Sequence, residues 1–204
     1  MASLNLYGTT TLPGMFGFDQ NGFVQGEYQP DPAARFAVTS GTLAASVTGP
    51  VYGGVLITET VPAIDGPVPM SLGSNVTLAA TAAGATGIVL STQMYHAINA
   101  SDIAGANAAP YVTGGNSVQY ARFGSGLKFA VAIDPAILAS LLNGSISPEI
   151  SWDVTASRIV AYNATLGAFP AKVLRVEANS KVISVDATSG LPVWGNGPAA
   201  LIQI

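Results

Sequence analysis

Short runs of alternating side chains, cut every few positions by glycine or proline, restrict the fold of this chain more than any other feature. Val55, Ile57 and Val61 alternate with Leu56, Thr58 and Thr60, with Glu59 the exception on the first face. Leu127, Phe129, Val131 and Ile133 share a face opposite Lys128, Ala130 and Ala132. Ile150, Trp152 and Val154 do the same against Glu149, Ser151 and Asp153. A period of two sends successive side chains to opposite sides of a strand, so each run predicts a strand with at least one face in a core. Residues 172–177 and 181–186 flank Ala178-Asn179-Ser180 and read as a hairpin. Residues 199–204 read as a last strand after a Gly195-Asn196-Gly197-Pro198 turn. One short helix is expected near 135–142, with Asp134 as N-cap, Pro135 at its first position and Asn143-Gly144 as its stop. The Ala-rich residues 78–84 leave helix, strand and loop open. The fold class that follows is mostly β, an antiparallel β-sandwich or jelly-roll-like domain.

The first 35 residues differ from the rest. Tyr7, Phe16, Phe18, Phe23 and Tyr28 stand among glycines and prolines with no helical or strand period. Aromatics without a repeating face predict an extended N-terminal arm over 1–35, attached to a β-rich domain over 36–204, with a first strand and irregular loops as the alternative. The rings would dock on another surface, either the domain's own core or a neighbour's. Those five aromatics are the candidate interface residues. Trp152 and Trp194 are expected in the core.

Composition then narrows the function. Charged residues make up 9% of the 204, against about 25% in an average soluble domain, while Ser, Thr, Asn and Gln are abundant. A neutral polar surface has little colloidal repulsion and tends to associate, which predicts a protein covered by partners. The net charge of −4, from seven basic and eleven acidic residues, argues against nucleic acid, whose binding needs clustered Lys and Arg. With no cysteine, thiolate and disulfide chemistry are excluded. Mean hydropathy is +0.45, yet the longest apolar stretch, 127–142, is broken by Lys128, Asp134 and Pro135. No spanning helix and no membrane partner are expected from it. The opening residues carry no basic and apolar pattern of a secretory signal, and an outer-membrane β-barrel is not expected.

No motif in the chain announces catalysis. His96, the sole histidine, has no orienting acid or further ligand near it in sequence and is expected to be structural. Ser125-Gly126-Leu127-Lys128 matches a Ser-x-x-Lys pattern, but that chemistry needs one helical turn between the two groups. Here glycines flank the serine and the lysine opens a strand-like run. The carboxylates are scattered, and Asn75, Asn99, Asn143 and Asn163 begin Asn-x-Ser/Thr triplets expected to be chance matches. No catalytic residue, metal or cofactor is expected. A hydrolase whose two carboxylates meet only in the fold would show both with raised pKa.

Several segments, taken in order, resemble head cement or decoration proteins of tailed bacteriophages. They are residues 51–62 (Val-Tyr-Gly-Gly-Val-Leu-Ile-Thr-Glu-Thr-Val-Pro), 84–90 (Gly-Ala-Thr-Gly-Ile-Val-Leu), and 114–128 with its Gly114-Gly115-Asn116-Ser117 and Arg122-Phe123-Gly124-Ser125-Gly126. Asp134-Pro135, Asn143-Gly144-Ser145 and Ile150-Ser151-Trp152-Asp153 continue the series. The resemblance spans about the middle half of the chain, and the order and spacing of its segments carry it. It implies a β-rich virion protein, made in the bacterial cytoplasm and added to the outer surface of the capsid. Its partners would be the major capsid protein and itself, commonly as a homotrimer where capsomers meet. The alternative from the binding class is a tail-fibre, adhesin-type or carbohydrate-binding β module.

Overall fold

The computed structural model of the chain describes residues 22–29, 34–60, 74–91 and 109–204. A single-turn helix α1 (Ala34–Ala37) leads into β1 (Val38–Leu43), β2 (Val51–Tyr52), β3 (Leu56–Thr60) and β4 (Ser74–Leu78). Then come β5 (Gly87–Val89), β6 (Tyr111–Val112), β7 (Ser117–Arg122) and β8 (Lys128–Ala132). A 3-10 turn (Pro135–Ile137) and α2 (Leu138–Leu142) precede β9 (Ile150–Asp153), β10 (Arg158–Ala161), β11 (Lys172–Val185) and β12 (Pro192–Gln203). The chain is mostly β, and the expected short helix lies where Asp134 Oδ1 accepts the Ala136 N–H at 2.9 Å.

The strands pair in a way that alternation alone does not specify. β1, β4, β3, β5 and β7 close into a five-stranded barrel, with β1–β4 its one parallel pair. β11, β12 and β8 form a three-stranded antiparallel sheet, and β9–β10 and β2–β6 are two-stranded. A sandwich and a barrel impose the same period of two, so the sequence pattern that predicts a sandwich is equally met by this closed barrel.

Both faces of the barrel wall are used. Leu43, Ile57, Val76, Val89, Val118 and Tyr120 fill one cluster with Val51 and Val112. Their neighbours Leu56, Ile88 and Ala121 turn the other way, into a core shared with Phe129, Val131, Trp152, Ile159 and Ile202. β8 is buried on both faces, the alanines opposite its large residues included. Tyr120 has room because β1 and β5 each place a glycine against it. A Cβ on Gly87 would stand 2.6 Å from the Ala121 carbonyl oxygen and 3.2 Å from the Tyr120 ring. One on Gly41 would stand 2.7 Å from the Ser74 carbonyl oxygen.

Two local expectations are corrected. Residues 172–177 and 181–186 are not the arms of a hairpin; residues 172–185 form the single strand β11, paired along its length with β12. Residues 195–198 are not a turn either, but the middle of β12. The cause is a bulge: Glu177 opposes Ala199 and Ser180 opposes Gly197, so Ala178 and Asn179 together face Pro198. Proline has no N–H to give a ladder, and a bulge in the partner strand removes the need for one. The real turn follows β11, where Asp186 Oδ1 accepts the N–H groups of Thr188 and Ser189, and Gly190 takes φ +69°. Trp152 and Trp194 are buried as expected.

Candidate functional site

Of the five candidate aromatics, Tyr7, Phe16 and Phe18 lie outside the described residues, as does His96. Phe23 and Tyr28 lie within 22–29, a segment bonded into the body through both edges of the three-stranded sheet. On the β11 side, Phe23 N donates to Ser180 Oγ at 3.0 Å, Lys181 N donates to the Phe23 carbonyl at 2.7 Å, and Gln25 N donates to the Lys181 carbonyl at 2.9 Å. On the β8 side, Gly26 N donates to the Ala130 carbonyl, Ala130 N to that of Glu27, and Gln29 N to that of Lys128. The Phe23 ring is half-buried with the Arg175 guanidinium 5.8 Å from its centroid. Tyr28 is exposed while its backbone bridges to Phe129.

Gln25 is the centre of this segment, and sequence reading gave it no role. It is fully buried. Its Nε2 donates to the Gly53 carbonyl at 2.9 Å and its Oε1 accepts the Ile183 N–H at 2.8 Å. Ser91 Oγ donates to the Gln25 backbone carbonyl, and Ser91 N donates to that of Gly26. The side-chain amide therefore ties the loop between β2 and β3 to the strand β11, and the backbone carbonyl of the same residue holds Ser91, two residues past β5. Its only signal in the sequence is a neutral polar residue beside Gly26, which is too common to read.

Glu59, Asp134, Asp153, Glu177 and Asp186 are each held in ion pairs or local hydrogen bonds. Glu59 on β3 pairs with Arg122 at 2.8 Å and accepts the Tyr120 hydroxyl at the end of β7. The Arg122 guanidinium, against the opposing effect of burial, and the Tyr120 hydroxyl hold its carboxyl down at about 2. Burial first, then Glu59, raises the Tyr120 hydroxyl. Asp134 pairs with Arg158 at 2.9 Å, Asp153 caps Thr155 and Ala156, and Glu177 pairs with Arg175. Hydrogen bonds from the Ser189 backbone and hydroxyl lower Asp186. Both shifted carboxylates move down, opposite to the direction a general acid needs. Among the described residues no three or more His, Cys, Asp or Glu converge as metal ligands, and no helix is long and apolar enough to cross a membrane.

Ser125 and Lys128 line a cavity of about 80 Å³ with Gln29, Ala34 and Leu127. Ser125 follows Gly124, which takes φ +83°, and its hydroxyl accepts the Leu127 N–H at 3.4 Å, while Lys128 opens β8. A turn stands where the Ser-x-x-Lys pattern requires a helix.

Phe36 on α1 is the most exposed large apolar side chain described, at 80%, and a group of four lies elsewhere. Leu142, Ile146, Tyr162 and Leu166 are large apolar side chains exposed by 57%, 61%, 46% and 36%. Ala161 pairs with Ile150, so the loops 143–149 and 162–168 leave the β9–β10 hairpin from the same end. The buried Ser151 hydroxyl pins the second loop, donating to the Gly167 carbonyl at 2.6 Å and accepting the Asn163 N–H at 2.9 Å. Glu149 is the only charged residue in the two loops. Sequence reading missed this group because apolar residues in loops carry no period from which exposure could be inferred. In comparisons with protein-family models, curated proteins and solved structures, nothing matches the chain.

Proposed function

We propose that this chain is a structural virion protein, a head cement or decoration protein that binds the outside of a phage capsid and stabilises contacts between major capsid protein subunits. The observation that carries the reading is a set of exposed apolar side chains, Leu142 at the end of α2 and Ile146, Tyr162 and Leu166 on two nearly uncharged loops that leave the β9–β10 hairpin from one end. Such a surface buries without stripping water from charges, which is costly unless they pair. Many copies of a modest contact, repeated by the symmetry of a shell, add up to firm attachment. The order of the sequence segments that resemble cement proteins supports the same reading. In it, the barrel and the three-stranded sheet together act as the sandwich-like body, the major capsid protein covers the loops, and the chain works as a homotrimer. It needs no cofactor or metal and performs no catalysis.

Adding purified protein to capsids that lack it tests the reading. Wild-type chain should saturate at a simple ratio to the major capsid protein, and L142S/I146S should bind at least about tenfold more weakly, since burying one such side chain is worth about 1.5–3 kcal/mol. Unchanged binding of that variant would remove these loops from the interface, and no saturable binding of the wild type would end the capsid reading.

A further inference from the structure

We propose that the slot between the edges of β8 and β11 is a strand-acceptor site that also takes residues 22–29 from a second copy of this chain, so that copies join by exchanging this segment. The inference concerns self-association and stands apart from the capsid reading. It rests on where the segment's bonds go. Within 22–29 there is one turn bond, from Glu27 N to the Val24 carbonyl. Its other hydrogen bonds described above all run to residues remote in sequence: Gly53, Ser91, the 128–130 edge of β8 and residues 180–183 of β11. A site made wholly of remote residues reads the same whether the strand comes from its own chain or another.

The slot is also selective, which separates exchange from indiscriminate edge pairing. At Gly22 a Cβ would stand 1.9 Å from the Asn179 carbonyl oxygen, so the β11 bulge admits glycine alone there. Gly26 takes φ +82°, and a Cβ on it would stand 2.7 Å from Gly53 Cα. Between them Gln25 must present an amide that both donates and accepts. The slot therefore reads Gly-x-x-Gln-Gly in one register, and residues 22–26 of every copy supply it. An exchanged pair makes the same bonds as the closed chain, so its cost is chiefly the loss of freedom on association, which high local concentration offsets.

The chain has no cysteine, so introduced thiols report cleanly. Full-length Q29C and full-length K128C, co-expressed, place one thiol on the segment and one on the strand whose carbonyl accepts the Gln29 N–H. Q29C co-expressed with T188C, on the exposed turn after β11, measures chance pairing. Exchange predicts a Q29C–K128C interchain disulfide about tenfold or more above that control, because the slot raises the effective concentration of the two thiols. Yield equal to the control overturns the proposal, and a double variant Q29C/K128C that is crosslinked only within single chains overturns it as well.

Discussion

Gln25 and Glu59 show how few polar side chains this structure needs and how differently they act. Gln25 is buried with its amide bonded at both ends, and truncation would leave the Gly53 carbonyl and the Ile183 N–H unpaired. An orphaned buried group costs about 1–3 kcal/mol, so Q25A should lower unfolding stability in urea by roughly 2–4 kcal/mol. A loss below about 0.5 kcal/mol would show that water or a neighbour replaces the amide. Glu59 acts through charge. Its folded pKa of about 2 lies below the ordinary 4.5, so its stabilisation is fully present above pH 4.5 and is lost as pH falls through that window. Arg122 is half exposed, which limits the contribution to about 1 kcal/mol. Urea midpoints between pH 5 and pH 2 should fall more steeply for wild type than for E59Q; parallel curves would contradict the assignment.

Strands and turns are where sequence and structure are best compared. Alternation located β3, β8 and β9, because a strand half or wholly buried prints its period directly. The helix after Asp134 was legible because its cap, its proline and its stop are local chemistry. Barrel closure was not legible, since pairing partners are distant in sequence and a sandwich has the same period. The strand 172–185 reads as a hairpin because Ala178-Asn179-Ser180 resembles a turn; only the partner, with Pro198 opposite, reveals a bulge. Of the candidate site, the sequence showed a low charge content and an aromatic N-terminal stretch, but neither the exposed loops nor Gln25. At this scale the tight point is Gly87. A methyl there meets backbone on the neighbouring strand, so G87A should destabilise the fold by about 1–3 kcal/mol, and a barrel that tolerates it would show that β5 can move away from β7.

At the scale of the whole molecule, the barrel and the three-stranded sheet share one core, and segment 22–29 bonds to the edges of the sheet. Exposed apolar side chains stand on the loops at the end of the β9–β10 hairpin, on a chain with 9% charged residues. A shell protein repeated by symmetry is the setting in which such a surface is an asset. The copy number of this chain in gradient-purified phage particles, by quantitative mass spectrometry, tests that claim most directly. The cement reading predicts copies in the hundreds, in a simple ratio to the major capsid protein. A few copies per particle would move the protein to the tail or fibres, and its absence from particles would contradict the account.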